Sequence, residues 1–326
     1  MIEEVLPGIF RTEIPLPKNP LKALNSYVIK DGDRSLIIDT GMNREECLTP
    51  MLANLKELKV DLNKTDFFIT HFHSDHMGLV EKLTSASSRI YYNQREASSI
   101  HYCKAEEDWE SMIAFYRSNG FPADELERAL QNHPGYKYSA KNRMDFTIVK
   151  EGDKIDIGSY SFSCVDTPGH TPGHMCLYEA DKKILVSGDH ILFDITPNIS
   201  YWPEIKDSLR DYLASLDKVY PLDVNRILPG HRSLINDHRG RIQELQEHHK
   251  ARLKETVSAL EDGGKTAWEV APHITWDIDA KSWEQFPSPQ KWFAIGETLT
   301  HLIYLETDGK VRRTMKEDKV IFSLVR

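Results

Sequence analysis

A dense group of imidazole and carboxylate side chains follows a short apolar segment early in the chain. The segment Phe67–Thr70 leads directly into His71-Phe72-His73-Ser74-Asp75-His76, which places four potential metal ligands within six residues. If the backbone stays extended, His71 and His73 point the same way, while Asp75 and His76 can turn towards a neighbouring point. Because zinc, manganese and iron all accept imidazole and carboxylate ligands, this cluster predicts a metal site.

Three later segments can complete such a site. Each is an apolar run that ends in a small or turn-forming residue followed by a polar one, and the three polar residues are His170, Asp189 and His231. Loops at the ends of strands in a rigid sheet can converge on one point. An isolated histidine is better interpreted as a surface or packed residue, but the early cluster together with these three favours a metal site.

The surrounding pattern alternates strands and helices. Asp31-Gly32-Asp33 between two apolar runs predicts a hairpin, and apolar residues at helical spacing predict a helix near residues 51–58. We predict strands over residues 25–29, 35–38, 66–70, 154–157, 160–165, 175–178 and 183–186. This composition of elements indicates an α/β (α+β) fold class.

Two segments depart from that alternation. Residues 98–141 are predicted to form a helical insertion, and its aromatic stripe, with Trp109, Met112 and Tyr116, could form an apolar substrate wall or simply ordinary core. A long helix over residues 239–260, with His249 filling a gap on its apolar face, precedes Gly263-Gly264 and a smaller helical segment that ends in a β-hairpin. We therefore predict a catalytic domain over residues 1–240 and a winged-helix-like domain over 241–326.

Composition excludes several broad classes. The 326 residues include 41 Lys and Arg against 50 Asp and Glu, a formal charge of −9, so binding to a polyanion through overall charge is disfavoured. An apolar fraction of 40% supports a buried core, and we find neither a membrane-spanning run nor a secretory signal, which predicts a cytoplasmic location. The widely spaced Cys47, Cys103, Cys164 and Cys176 predict reduced, packed thiols.

The combination of H-x-H-x-D-H, T-P-G-H, G-D after a strand and a final P-G-H resembles the metallo-β-lactamase superfamily over about residues 5–240. The resemblance implies an αββα sandwich with a two-metal site at one edge of its sheets. By position, one metal would be bound by His71, His73 and His170, the other by Asp75, His76 and His231, with Asp189 bridging both.

Differences within that superfamily narrow the expected activity. Asp189 stands where the commonest family β-lactamases have a cysteine, and His73 stands where the flavodiiron branch has a carboxylate. The ligand set is most similar to glyoxalase II and its relatives, although the C-terminal segment differs from theirs. This implies a dinuclear hydrolase that uses metal-bound hydroxide on a thioester, ester or lactone, with Asp75 as the catalytic residue that orients the hydroxide.

Other roles follow from proximity to these motifs. Asp39, His174 and His190 are candidates to accept or donate hydrogen bonds behind the ligands, although Asp39 could instead fix a turn and the two histidines could be packed neighbours. The cofactors expected are two divalent ions, zinc first, with manganese or iron as alternatives.

The partner expected is a small-molecule substrate, and the C-terminal module is typical of either domain packing or formation of a homodimer; neither a membrane nor a nucleic acid is the favoured partner. A metal-dependent nuclease is an alternative because a basic cluster, interrupted by Glu317 and Asp318, could hold RNA or DNA. A non-enzymatic metal-binding regulator is another. The cluster comprises Lys310, Arg312, Arg313, Lys316 and Lys319.

Overall fold

Two β-sheets face each other in the computed structural model, which describes residues 1–99, 106–140 and 144–325. The first sheet keeps its strands in sequence order; β1 to β4 are antiparallel and β4 to β7 are parallel. Its strands are β1 (Ile2–Leu6), β2 (Ile9–Pro15), β3 (Ala23–Asp31), β4 (Arg34–Ile38), β5 (Thr65–Phe68), β6 (Ile90–Asn93) and β7 (Thr147–Val149).

The second sheet has the order β12-β11-β10-β9-β8, and its β11 and β12 strands are parallel. Its strands are β8 (Lys154–Ile157), β9 (Tyr160–Asp166), β10 (Met175–Glu179), β11 (Ile184–Gly188) and β12 (Arg226–Pro229). The predicted strands of this half of the chain are all present, since each is a short apolar run between turn residues.

Helices cover the sheets and form the C-terminal region. Their bounds are α1 (Glu45–Glu57), α2 (Ser74–Met77), α3 (Val80–Leu83), α4 (Gln94–Ser99), α5 (Glu106–Ser118), α6 (Ala123–Gln131), α7 (Pro134–Tyr138), α8 (Ser208–Val219), α9 (His238–Ser258), α10 (Ala267–Val270) and α11 (Ser288–Thr307). A hairpin of β13 (Val311–Lys316) and β14 (Lys319–Leu324) follows.

The sandwich has one core between its sheets and another on each outer face. Phe68 of the first sheet meets Phe162 and Leu177 of the second in the central core. Met51 of α1 packs on the outer face of the first sheet, and Leu216 of α8 packs on the outer face of the second. Because successive residues of a strand point to opposite faces, a strand can contribute side chains both to the central core and to an outer core. The predicted αββα sandwich with an additional C-terminal region is confirmed.

The helical insertion and the C-terminal region share a fourth core. Tyr116 and Phe121 of the insertion pack with Trp292 and Leu299 of α11. The insertion is helical where it is described, whereas residues 100–105, which include Cys103, and 141–143 lie outside the described residues. Helix α9 contributes to this core and to the core behind the second sheet, so it joins the two regions. The division at residue 240 stays a prediction.

One strand is shorter than predicted at the point where the chemistry begins. Strand β5 ends at Phe68, because the Thr70 backbone N–H donates to Asp39 Oδ1 at 2.9 Å and does not continue the sheet. The residues from His71 onwards therefore lie on a loop that leads into α2.

Two simpler predictions concern the thiols and the membrane. The thiols of Cys47, Cys164 and Cys176 are free and buried, as predicted. Among the helices of the described residues, none combines the length and apolar character needed to cross a bilayer.

Candidate metal centre

The loops that follow β5, β9, β11 and β12 meet at one edge of the sandwich. The loop after β5 carries the first two histidines, and the first turn of α2 carries the next two side chains. All are buried except His73, which is half-buried. The side chains brought together are His71, His73, Asp75, His76, His170, Asp189 and His231.

The first ligand group consists of three imidazoles. His73 Nδ1 lies 3.0 Å from His71 Nε2 and 3.0 Å from His170 Nε2, so three nitrogens face one point. In two of the three imidazoles the other ring nitrogen is bonded away from that point: His170 Nδ1 donates to the Asn198 carbonyl at 2.8 Å, and His71 Nδ1 to Thr70 Oγ1 at 3.0 Å. These hydrogen bonds select the tautomer that leaves a lone pair available for a cation.

The second ligand group contains one carboxylate and two imidazoles. Asp75 Oδ2 lies 3.3 Å from His231 Nε2 and 3.9 Å from His76 Nε2. Again the remaining nitrogens are bonded behind the group: His231 Nδ1 donates to the Ala23 carbonyl at 2.7 Å, and His76 Nδ1 to Asp39 Oδ2 at 2.8 Å.

Asp189 lies between the two groups. Its Oδ2 is 3.7 Å from His170 Nε2, and its Oδ1 is 3.5 Å from both His76 Nε2 and His231 Nε2. A Cβ at Gly230 would lie 2.6 Å from that Oδ1 and 2.8 Å from His76 Cε1. The glycine of the P-G-H segment therefore leaves room for the carboxylate to reach both groups.

Burial and neighbouring charges shift the pKa values of the imidazoles in opposite directions in the two groups. Burial and the adjacent imidazoles hold the pKa of His71 and that of His73 well below the usual range. Burial also disfavours the charged form of His76, but Asp189, Asp39 and Asp75 outweigh it and raise its pKa well above the usual value. The pKa of His231 is raised by Asp189 and Asp75 in the same way, against the effect of burial.

The pKa values of the two carboxyl groups, Asp75 and Asp189, are both lowered. Burial favours the neutral acid of Asp75, but His76 and His231 outweigh it and lower the pKa to about 2. The pKa of Asp189 also falls well below its usual value, because His231 and His76 outweigh burial. Both carboxylates are therefore ionised at neutral pH, as metal ligands must be.

The residues fit divalent cations. His76 Nε2, His231 Nε2 and Asp189 Oδ1 are buried without a hydrogen-bond partner, and each faces the space between the ligand groups. A buried polar atom that lacks a partner costs about 1–3 kcal/mol, and a bound cation would remove that penalty. The nitrogen and oxygen donor set is the one that zinc, manganese and iron share.

The three residues predicted to lie behind the ligands occupy different positions. Asp39 accepts from Thr70 N, from Thr70 Oγ1 and from His76 Nδ1, so it joins the start of the loop after β5 to the first turn of α2. His174 lies next to His71, with ring centroids 5.1 Å apart, and its Nε2 accepts from the Asp189 backbone N–H at 3.2 Å. His190 is further out, 6.1 Å from the His174 ring and 5.3 Å from the Tyr212 ring.

One positioning residue was missed by the sequence analysis. The buried Glu96 of α4 accepts from Phe72 N at 2.7 Å, from Thr171 Oγ1 at 2.6 Å and from Gly173 N at 2.6 Å. It therefore ties the loop of His71 and His73 to the loop of His170. Burial raises the pKa of its carboxyl to about 7, although all three hydrogen bonds oppose that shift. The sequence contains no signal for this role, since Glu96 belongs to none of the motifs.

The predicted substrate wall lies mostly inside the fourth core. Trp109 is 7% exposed and Tyr116 is 1% exposed, and both contact Trp292 of α11. Met112 is partly buried against the same cluster. Their contact with a substrate stays a prediction. Closer to the ligands lies Trp202, which the sequence analysis did not single out; its Nε1 donates to the His170 carbonyl at 2.9 Å.

This fold and ligand arrangement agree with comparisons to known families. Residues 21–231 match the family model of the metallo-β-lactamase superfamily, and residues 253–323 match that of the metallo-β-lactamase-like C-terminal domain. The chain therefore belongs to the metallo-β-lactamase superfamily, whose members are mostly hydrolases.

Alignments with individual relatives cover most of this chain. A solved structure of a metallo-β-lactamase family protein from Thermus thermophilus is 26% identical, covers 99% of this chain and 100% of its own, and has a TM-score of 0.84. The probable metallo-hydrolase YqjP of Bacillus subtilis is 24% identical over 92% of this chain and 93% of its own length. The human acyl-coenzyme A thioesterase MBLAC2 is 26% identical over 64% of this chain and 72% of its own.

Proposed function

We propose that this protein is a dinuclear metal-dependent hydrolase. The observation that carries the proposal is the position of Asp189, whose Oδ2 faces the first ligand group while its Oδ1 faces the second. One carboxylate shared by two groups of three ligands is the arrangement expected for two cations held close together. Zinc is the first candidate for both ions, with manganese or iron as alternatives.

The chain supplies the positioning for hydrolysis. Bound divalent ions would supply a water of lowered pKa and an electrophile for the substrate carbonyl. Asp75, ionised and 3.3 Å from His231 Nε2, directs its carboxylate into the second group, where it would help to hold a cation and would orient the nucleophile that the cation supplies. The hydrogen bonds behind His71, His76, His170 and His231 keep the reacting groups in place before substrate arrives.

A thioester, ester or lactone is the substrate class that we infer. The name of MBLAC2 supports a thioester, as does the resemblance of the sequence motifs to those of glyoxalase II. The half-buried Trp202 ring beside His73 also suits an acyl group: it lies 6.0 Å from the His73 ring and packs on the buried Phe72 ring at 5.0 Å. Such a surface can hold the apolar part of a substrate next to the cations.

The test combines metal analysis with a substrate panel. We expect about two zinc ions per chain at the centre and turnover of thioesters above that of phosphodiesters. Asp75→Ala should lower kcat/KM by about a hundredfold or more while the circular dichroism spectrum is retained. The matched control is Asp279→Ala, which removes an exposed carboxylate outside the centre. Full activity in Asp75→Ala would overturn the proposed role of this residue.

The panel also tests the alternative of a nuclease. The basic residues Arg312, Lys316 and Lys319 are exposed on the β13–β14 hairpin, but Arg313 pairs with Glu306 at 2.9 Å. Salt-sensitive oligonucleotide binding that is lost on charge reversal at Arg312 and Arg313 would favour a nuclease with a winged-helix-like binding domain. Absence of turnover across the whole panel, with metal bound, would favour a regulatory protein.

A further inference from the structure

A second group of imidazole and carboxylate side chains lies between α9 and α11, apart from the centre at the sheet edge. His248 and His249 belong to α9, and Glu297 and His301 belong to α11. His249, Glu297 and His301 are buried, and His248 is half-buried. Ligand atoms of His248, His249 and Glu297 all lie within 4.8 Å of one another.

Hydrogen bonds determine which nitrogens of the buried histidines carry protons. His301 Nδ1 donates to the Glu297 backbone carbonyl at 2.7 Å, so its Nε2 is the acceptor nitrogen. That Nε2 lies 3.2 Å from His249 Nδ1, which must therefore be the donor. Burial lowers the pKa of both imidazoles and keeps them neutral. His249 Nε2 is consequently left with a bare lone pair.

This lone pair has no hydrogen-bond partner in the described part of the protein, although the atom is buried. An imidazole with one nitrogen fixed by a hydrogen bond and the other bare is what metal-binding histidines present. The same pattern holds the imidazoles of the centre at the sheet edge, for example His170 and His231.

Glu297 adds a carboxylate to the same group of side chains. Its Oε2 accepts from Asn198 Nδ2 at 2.9 Å, and its Oε1 lies 3.9 Å from His248 Nε2, which is too long for a hydrogen bond. A carboxylate that is only 7% exposed needs a compensating positive charge. A divalent cation between the carboxylate and the two imidazoles would supply that charge and use the lone pair of His249.

We propose that His248, His249 and Glu297 bind a further divalent cation, with zinc the ion best matched to two imidazoles and a carboxylate. The ion joins α9 to α11. It also holds the Glu297 carboxylate that fixes Asn198, and the Asn198 carbonyl accepts from His170 Nδ1 at 2.8 Å. The site therefore anchors the C-terminal helix to the loop that orients one ligand of the first group.

The direct test is diffraction from crystals of the full chain grown with zinc, with data collected on both sides of the zinc absorption edge. We expect an anomalous peak between the α9 and α11 side chains, separate from the peaks at the sheet edge. Peaks at the sheet edge without a peak between the helices would overturn the proposal. Failure of the dinuclear proposal would instead affect only the peaks at the sheet edge.

Zinc content in solution provides an independent measurement. His248→Ala and Glu297→Gln should each reduce the zinc bound per chain by about one ion. His248 is half-buried and the Glu297 change is nearly isosteric, so both variants should fold. The control is His273→Ala, which removes an exposed histidine of the same region. Zinc content that is equal in the wild type, both variants and the control would overturn the proposal, whatever the activity.

Discussion

The two ligand groups at the sheet edge use similar side chains in different electrostatic settings. In the first group, His71, His73 and His170 face one another as neutral imidazoles whose pKa values are lowered, with burial the largest cause. In the second group, carboxylates around His76 and His231 raise the pKa of each imidazole against the effect of burial. The first group is ready to bind a cation, whereas the second must release protons to do so.

The two groups therefore differ in how charge is balanced around their imidazoles. In the second group, carboxylates lie close to the imidazoles: Asp75 Oδ2 is 3.3 Å from His231 Nε2, and Asp189 Oδ1 is 3.5 Å from His76 Nε2. The first group has no carboxylate of its own and relies on hydrogen bonds to Asn198 and Thr70 to aim its nitrogens. Asp189 faces both groups, with one carboxylate oxygen towards His170 and the other towards His231.

The largest expected effect comes from removing that shared carboxylate. If the proposed dinuclear centre and thioester substrate are correct, Asp189→Ala should lower kcat/KM by roughly a thousandfold, since both cations would lose a ligand and their separation would no longer be fixed. Kinetics and metal content measured on the same preparation check this. Retention of both cations with near-normal turnover would show that the two groups act independently.

A smaller effect is expected at Asp39, which accepts from His76 Nδ1 at 2.8 Å. Asp39→Asn removes the negative charge behind this imidazole and should weaken cation binding at the second group by about 10–100-fold. Competition with a chromogenic chelator measures this affinity. The control Asp66→Asn changes a carboxylate of β5 that pairs with Arg89 at 2.7 Å. Equal weakening in Asp39→Asn and Asp66→Asn would contradict the role of Asp39.

The pH dependence of cation binding should differ between the groups. Because the pKa values of His76 and His231 are raised, these imidazoles hold protons up to higher pH, and cation affinity at the second group should fall as pH is lowered. The fall should approach about tenfold per pH unit for each proton displaced. The first group, whose imidazole pKa values are lowered, should change little over the same range.

Two variants isolate the groups for this measurement. His231→Ala leaves the first group to bind zinc, and His73→Ala leaves the second. Isothermal titration calorimetry near pH 6 and pH 8 then gives the two dependences separately. If zinc affinity depends on pH in the same way in the two variants, the electrostatic difference between the groups is contradicted.

The smallest effect is expected at Glu96, whose carboxyl joins two ligand loops without facing the cations. Glu96→Gln loses an acceptor and should lower the free energy of unfolding by about 1–3 kcal/mol, with only a few-fold change in kcat/KM. The exposed Gln94 of the same helix provides the control Gln94→Ala. An equal effect of both substitutions on unfolding by urea would contradict the positioning role.

The raised pKa of Glu96 also predicts how the free energy of unfolding changes with pH. Its pKa rises from 4.5 to about 7 on folding, so the folded state binds the extra proton between these values. Stability from this group is therefore present at low pH and is lost as pH rises through about 7. Measured in chelator, the advantage of the wild type over Glu96→Gln should be larger near pH 5 than near pH 8. An advantage that grows with pH would show that the carboxyl is not protonated in the folded state.

The local parts of this architecture could be predicted from sequence because they depend on local chemistry. The Asp-Gly turn between β3 and β4 and the apolar runs of β8 to β11 have short-range signals, and the structure contains these elements. The end of β5 could not be predicted, because Asp39, far from it along the chain, takes the Thr70 N–H. The insertion could be recognised as helical, but not its shared core with α11, since its apolar stripe does not specify a partner.

At the site, too, some features could be predicted from the sequence and others depend on the tertiary structure. Side-chain type and spacing determined the ligand candidates, because imidazoles and carboxylates are costly to collect without a cation and short motifs keep them together. Tertiary structure alone decided that the oxygens of Asp189 face different groups, that Glu96 joins two loops and that His249 meets His301, which is 52 residues further along the chain. Hydrogen bonds and charge pairing act over a few ångströms in space, whereas sequence patterns report only neighbours along the chain.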